Sequence, residues 1–332
     1  MVFLWASVLQ AKRSTPGDLN AYVARGLKTF EVPGIAVAIV KDGKVVVAKG
    51  YGVKKRGEAA PVDENTLFGI GSNTKAFTTA TLVDEGKIKW NDPVYQRLPG
   101  FQMFDPYVSH EMTIRDLVTH RSGLGLGAGD LLFWPHTTFT RDEIVYKLRF
   151  MKPATSFRSS FAYDNLLYIA AGQIIEHVTG KSWEENISER ILQPLGMKTT
   201  NLSNQAFKPG DNYAWPHSTI GGQPLRAIDF IPMDNAAPAG SINSSVVEMA
   251  KWVLLQLNHG TPQRRDEAKS VLGHSFSRRS RKSNFLFFLH GSIGEEVSNH
   301  HYSLSSKPSN DQVIIETITR HKSTRYPMIN GQ

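Results

Sequence analysis

The chain has 332 residues, 40% hydrophobic and 20% charged, a length that suggests about two domains or one large domain with an inserted lobe. That composition is globular and excludes a disordered tail protein, a collagen-like fibre and a disulfide-stapled mini-protein. Cysteine is absent, which excludes disulfides, iron–sulfur clusters, cysteine-ligated zinc and a cysteine nucleophile, and leaves the redox compartment open. Of the net charge of +8, residues 262–332 contribute +5, with 11 Lys/Arg against 6 Asp/Glu. We read this as a solvated basic segment. Its cluster Arg278-Arg279-Ser280-Arg281-Lys282 lacks interleaved aromatic residues, so no nucleic-acid partner is expected.

Apolar Val2 to Leu9 open the chain without a preceding positive region and read as a short strand or helix start rather than a signal peptide. No apolar run approaches the ~20 residues of a membrane span. Localisation stays open between cytoplasm and periplasm or secretion. Residues 17–31 carry Leu19, Tyr22, Val23, Leu27 and Phe30 near helical spacing, with Asp18 at the start. Two β-branched runs, 34–40 and 45–48, flank Asp42-Gly43 and predict a hairpin. The first run is apolar on both faces, so helices should cover the sheet on at least one side.

From residue 66 to about 260 the pattern is mainly helical with long loops. Helices are predicted over 72–83, from Thr113 with a capping box to Asp116, over 164–180 ending at Gly180, from Ser182 to Leu192, and from Ser244-Ser245 to Leu257. After Thr261 the text turns basic and Ser-rich, with apolar islands at 285–289 and 313–315. A hairpin alone is marginal, and its further strands can come only from this late region. We therefore divide the chain into 1–261, a main unit, and 262–332, a divergent basic segment able to complete the sheet.

Ser72 and Lys75 stand three residues apart at a helix start, a spacing that puts both on one face. A serine needs an adjacent base to act as a nucleophile, and a lysine is a base only when its pKa is lowered. Helix-terminal N–H groups can serve a developing oxyanion. S-x-x-K taken alone is equally an ordinary helix start. Tyr163-Asp164-Asn165 adds a phenol and an amide at a loop-to-helix junction, where a packed tyrosine and a capping asparagine are the plain alternative. His110, His120, His136, His177 and His217 show no metal-ligand spacing, and His300-His301 reads as a solvated pair. No metal or cofactor is expected. No G-x-S-x-G elbow surrounds Ser72, and the Ser122–Gly127 glycines follow a helix rather than a strand, which disfavours an α/β-hydrolase and a nucleotide site respectively.

Four ordered segments carry a resemblance: Leu67–Thr78 (LFGIGSNTKAFT), Thr113–Leu124 (TIRDLVTHRSGL), Tyr163-Asp164-Asn165, and Ile191–Met197 (ILQPLGM). Together they resemble the serine β-lactamase-like hydrolases, which include class C β-lactamases, D-Ala-D-Ala carboxypeptidases and family VIII carboxylesterases. The resemblance covers roughly the first 260 residues. It implies an α/β (α+β) fold, an antiparallel sheet flanked by helices with a large inserted helical lobe and the site between them. It further implies Ser72 as nucleophile, Lys75 as its partner, Tyr163 as general base and later acid, and Asn165 as a hydrogen-bonding group for substrate. Half of the oxyanion hole would come from the Ser72 backbone N–H.

Two departures stand out. The helix from Ser72 to Asp84-Glu85-Gly86-Lys87 reads about three residues short, close to one turn. The family's third motif, a late-strand Lys/His-Thr/Gly-Gly, has only the loose match His290-Gly291-Ser292. The expectation is a carboxylesterase on short-chain esters with weak β-lactamase activity. Alternatives are a β-lactamase or D-Ala-D-Ala carboxypeptidase, and a non-catalytic penicillin-binding-like protein. The partner is a small-molecule ester or β-lactam. Oligomeric state is left open.

Overall fold

The computed structural model describes residues 18–82, 87–219 and 223–258, and the backbone of 284–290 and 312–315. Helix α1 (Leu19–Thr29) leads into strands β1 (Gly34–Lys41) and β2 (Lys44–Gly52). Their predicted turn is present, with Asp42 and Gly43 both left-handed at φ 50° and 73°, the conformation that matches strand twist. A short strand β3 (Phe68–Gly69) precedes helix α2 (Thr74–Leu82), followed by α3 (Val94–Arg97), α4 (Pro106–Glu111) and α5 (Ile114–Val118). The capping box expected between Thr113 and Asp116 opens α5. Then come α6 (Arg141–Lys147), α7 (Leu166–Thr179), α8 (Trp183–Ile187) and α9 (Gln193–Leu195). The helix predicted from Ser182 to Leu192 is therefore α8, opened by Ser182, and then a wider π turn over Ser188–Leu192. Strands β4 (His217–Ser218) and β5 (Arg226–Ala227), helix α10 (Ala237–Gly240), strand β6 (Asn243–Ser244) and helix α11 (Val246–Leu257) complete this part. Strands β7 (Asn284–His290) and β8 (Gln312–Ile315) fall on the two predicted apolar islands.

The main sheet has the order β2-β1-β7-β8. Strand β1 is antiparallel to both neighbours, with Ile35 opposite Tyr51 on one side and His290 on the other. The sheet is not antiparallel throughout, because β8 runs parallel to β7. The hairpin thus takes its extra partners from the late region, as the marginal stability of two strands requires. Strand β1 buries Ala36, Ala38 and Val40 on one face of the sheet and Val37 on the other. Helix α11 packs across β1 and β2. Its Trp252 stacks on Phe77 of α2 with ring centroids 4.0 Å apart, which fastens the sheet layer to the helical lobe.

Helix α7 is buried from Leu166 to Ile175. A helix apolar all round belongs at the centre of a lobe, and α2, α5, α6, α8 and α10 all pack on it. Arg141 of α6 ties the lobe to the turn before α10. Its guanidinium meets Glu176 at 2.9 Å, pairs with Glu184, and donates to the carbonyl of Asp234 at 2.7 Å. Gly172 lets α10 approach α7. A Cβ at that position would lie 2.3 Å from Cγ of Pro238, inside any tolerable contact. Gly172→Ala is therefore expected to destabilise the protein by about 1–3 kcal/mol, the usual cost of overpacking. Urea unfolding checks this, and an unchanged midpoint would show that α10 yields without cost.

Candidate active site

The turn into α2 starts the site. Strand β3 pairs with β6, and the Ile70 N–H donates to the Ile242 carbonyl at 2.9 Å. Gly71 then turns the chain at φ 51°, a conformation that L side chains rarely adopt. Residues 71–73 form a 3₁₀ turn and the α-helix begins at Thr74, so Ser72, the predicted helix start, lies in the 3₁₀ turn just ahead of the α-helix. Thr74 Oγ1 accepts from the Ile242 N–H at 3.2 Å, which holds this turn against the segment leading to β6. Ser72 is half-buried, whereas Lys75 is 5% exposed.

Lys75 Nζ has three oxygen partners. It lies 3.1 Å from Ser72 Oγ, 2.7 Å from Asn165 Oδ1 and 2.8 Å from the carbonyl oxygen of Ala239. Helix α10 supplies the last, and its position is fixed by Thr78 Oγ1, which donates to the Pro238 carbonyl at 2.8 Å and accepts from Trp183 Nε1 at 3.0 Å. The aromatic rings of Tyr163 and Tyr168 flank the amine at 4.9 and 5.2 Å. Burial pushes the Lys75 pKa down to about 7, against the pull of the carboxylates of Asp130 and Asp164.

Tyr163 reaches the same serine. Its hydroxyl donates to Ser72 Oγ at 2.5 Å. The loop around it is held from two sides, by the Gly127 N–H on the Tyr163 carbonyl at 2.9 Å and the Ala162 N–H on the His120 carbonyl at 2.9 Å. The His120 ring stacks on Tyr163, with centroids 4.6 Å apart, and its Nδ1 accepts from the Asp164 N–H at 3.1 Å. Burial, with the charge of Lys75, lowers the His120 pKa to about 4. The imidazole is thus neutral with its proton on Nε2, as an Nδ1 acceptor requires.

Asn165 was open to a reading as a helix cap. It makes no side-chain cap; Asp164 Oδ1 accepts the Leu167 N–H at 3.1 Å instead. Both faces of the Asn165 amide are committed elsewhere, its oxygen to Lys75 and its nitrogen to Asp130 Oδ1 and Oδ2 at 3.0 and 3.2 Å. Asp164 is fully buried, and burial raises its pKa to about 7. Its Oδ2 has no hydrogen-bond partner among the described residues.

Ser72, Lys75, Tyr163 and Asn165 therefore converge, although 88 residues separate Lys75 from Tyr163. Sequence reasoning missed Asp130, His120 and the Ala239 carbonyl. Asp130 stands in a glycine-rich loop that carries no helical or strand pattern. His120 was weighed only as a metal ligand, and a backbone carbonyl has no sequence signature. Of the third-motif match, the backbone of His290 ends β7 opposite Ile35. Gly291 and Ser292 lie outside the described residues, as do Asp84-Glu85-Gly86, His300-His301, the 278–282 cluster and residues 2–9. Among the described residues no cluster of metal-ligating side chains occurs, and no helix is long and apolar enough to cross a membrane.

This arrangement is that of a serine β-lactamase/transpeptidase-like fold, and comparison with known proteins agrees. The family model described as Beta-lactamase matches residues 19–288, and the chain belongs to that family. It is 31% identical over 263 residues to unguisins hydrolase ungD of Aspergillus violaceofuscus, which covers 74% of this chain and 46% of that protein. It is 25% identical to Protein flp of Staphylococcus aureus strain MW2 over 330 residues, 94% of this chain and 60% of that one. The chain thus spans about half the length of the curated relatives it matches. Among solved structures, the octameric penicillin-binding protein homologue from Pyrococcus abyssi aligns with a TM-score of 0.66 at 28% identity, over 78% of this chain and 58% of that one. FmtA from Staphylococcus aureus aligns with a TM-score of 0.60 at 26% identity, over 72% and 66%.

The stacked position of His120 has a measurable consequence. Its folded pKa of about 4 lies below the ordinary 6.5, so its contribution to stability is complete above pH 6.5 and is lost as pH falls toward 4. In a proton NMR titration the His120 ring signal should stay at its neutral position through pH 6 and move only near pH 4. A midpoint near 6.5 would show a solvated imidazole.

Proposed function

We propose that the protein is a serine hydrolase that works through an acyl-enzyme on Ser72, with short-chain carboxylic esters as its substrate class. The observation that carries this reading is the triple contact of Lys75 Nζ. Two of its partners, Asn165 Oδ1 and the Ala239 carbonyl, can only accept hydrogen bonds. A neutral amine has two N–H groups and one lone pair. The two oxygens consume the N–H groups, and the lone pair is left facing Ser72 Oγ at 3.1 Å. A pKa of about 7 makes that neutral form accessible near neutral pH.

Lys75 then takes the Ser72 proton as Oγ attacks the ester carbonyl and forms a tetrahedral intermediate. Collapse breaks the bond to the leaving alkoxide. The Tyr163 hydroxyl, already on Ser72 Oγ, gives its proton to that alkoxide and is refilled from the Lys75 ammonium. Water hydrolyses the acyl-enzyme by the reverse route. Tyr163, implied by the resemblance as general base, acts here together with Lys75 as one proton-transfer unit. Asn165 holds Lys75, and any hydrogen bond to substrate uses what its Nδ2 has left beside Asp130.

Esters fit better than β-lactams for two reasons. The third motif, which would help to hold a β-lactam carboxylate, is reduced in the sequence to His290-Gly291-Ser292. The loops that carry Asp130 and Tyr163 also expose apolar Leu126, Leu131 and Phe161, which suits uncharged acyl groups. The division of the chain into a hydrolase unit over 1–261 and a divergent segment over 262–332 belongs to the same proposal.

Ser72→Ala is expected to abolish p-nitrophenyl ester turnover and labelling by a fluorophosphonate, read by mass spectrometry, with the fold intact. A wild-type chain that hydrolyses nothing and takes no label at Ser72 would favour a non-catalytic, penicillin-binding-like protein. Lys75→Met and Tyr163→Phe should each slow acylation strongly, and the double variant should be little worse than either, as for groups acting as a unit. Losses that multiply would separate the two residues into different steps. For substrate class, kcat/KM for a short-chain aryl ester should exceed that for a chromogenic cephalosporin by at least about 10², or ~2.7 kcal/mol of transition-state binding. Comparable cephalosporin turnover would turn the reading to β-lactamase.

A further inference from the structure

The direction of the Lys75 lone pair depends on which end of the Asn165 amide faces it. With the oxygen toward Lys75, the amine donates to Asn165 and keeps its lone pair for Ser72. With the amide turned over, an N–H of Asn165 would point at Nζ and compete for that lone pair. Nothing in the shape of a carboxamide favours one orientation, since its two ends are nearly the same size. Its surroundings decide. Asp130 presents both carboxylate oxygens to Asn165 Nδ2, at 3.0 and 3.2 Å. A carboxylate accepts and cannot donate, so it selects the amide nitrogen and turns the oxygen to Lys75.

Asp130 is itself placed for this task. It opens a 3₁₀ turn over Asp130–Leu132, after Gly129 at φ 79°. The turn is closed by its own carbonyl, which accepts from the Phe133 and Trp134 N–H groups at 3.1 and 2.9 Å. We infer that Asp130 is a positioning residue. Its carboxylate fixes the Asn165 amide so that Lys75 directs its lone pair at Ser72 Oγ, and its negative charge holds the Lys75 ammonium form in place between proton transfers. The inference rests on the acyl-enzyme reading for its catalytic meaning, although the geometry it describes can be measured without catalysis.

The groups that face Lys75 and bear on its titration are Asp130 from the 3₁₀ turn, Asp164 from just before α7, His120 from just after α5, and the rings of Tyr163 and Tyr168. Asp164 titrates in the same range as Lys75, so the experiment is run in both the wild-type and Asp164→Asn backgrounds. Asp130→Asn keeps the size of the side chain, removes the charge and makes the acceptor ambiguous. Asp130→Ala removes both the charge and the hydrogen bonds.

The Lys75 Cε resonance is followed by ¹³C NMR from pH 5 to 10, with Lys75→Met identifying the signal. Phosphonate labelling of Ser72 is followed over the same range. Loss of a nearby negative charge disfavours the ammonium, so the Lys75 midpoint should fall by about 1 unit in both Asp130 variants and in both backgrounds. The acid limb of labelling should move down with it, and the plateau rate should drop at least about tenfold in Asp130→Ala as the lone pair loses its direction. Superimposable Lys75 titrations for wild type and Asp130→Asn would overturn the inference. So would a plateau rate unchanged in a folded Asp130→Ala, and where that variant does not fold, the Asp130→Asn titration alone decides. A moved Lys75 titration in a chain whose Ser72 takes no label would leave the Asp130 contact standing and remove the acyl-enzyme reading instead.

Discussion

A primary amine carried into a protein interior must give each N–H a fixed acceptor or lose its proton, and often it does both. Lys75 is the point where that constraint meets the fold. Its three oxygen partners come from the 3₁₀ turn ahead of α2, from the residue ahead of α7 and from the last turn of α10. Three segments distant in sequence must therefore be held to within a few tenths of an ångström. Much of the packing described above serves that end. Gly172 lets α10 approach α7, Thr78 bridges α2, α8 and α10, and Arg141 anchors the turn that leads into α10.

The local elements were legible in the sequence because each carries its own signal. Asp42-Gly43 specifies the hairpin turn, Thr113 with Asp116 specifies the start of α5, and Gly180 ends α7 in the left-handed conformation. The joining of the late apolar islands to the hairpin, β7 beside β1 and β8 beside β7, followed from a need, since two strands cannot stand alone. Strand direction was not legible. Side-chain alternation fixes which face a strand buries and says nothing of its sense, so the parallel run of β8 against β7 had no signature.

Ser72, Lys75, Tyr163 and Asn165 could be named because the ordered segments that carry them resemble those of a known family. What holds them could not. Asp130 and His120 act through contacts across 35 and 44 residues, with Asn165 and Asp164 respectively. A lone aspartate after Gly127-Ala128-Gly129 looks like any loop residue. A histidine beside Arg121-Ser122-Gly123 looks like a helix end. Only when the loops fold over α7 does each acquire a role, and in both cases that role is to present a hydrogen-bond acceptor where a donor would spoil the geometry.

The charges around Lys75 also explain why a lowered pKa and a protonated partner can coexist in so small a space. Burial alone would drive Lys75 to neutrality, and two ionised carboxylates nearby would oppose that strongly. Asp164 has Oδ2 buried with no partner among the described residues, and burial pushes its pKa up to about 7. Near neutral pH it is therefore protonated about half of the time. Asp130, bonded through both oxygens to the Asn165 amide, is the better stabilised anion of the two. Burial raises the Asp130 pKa as well, so the amine faces fewer than two full negative charges, which leaves it close to the balance point between base and ammonium. A proton arriving from Ser72 finds a carboxylate that stabilises it, and a proton leaving toward Tyr163 exposes an amine already desolvated. In the proposed cycle neither direction of transfer meets a large electrostatic penalty, and that symmetry lets one lysine serve both the formation of the acyl-enzyme and its hydrolysis.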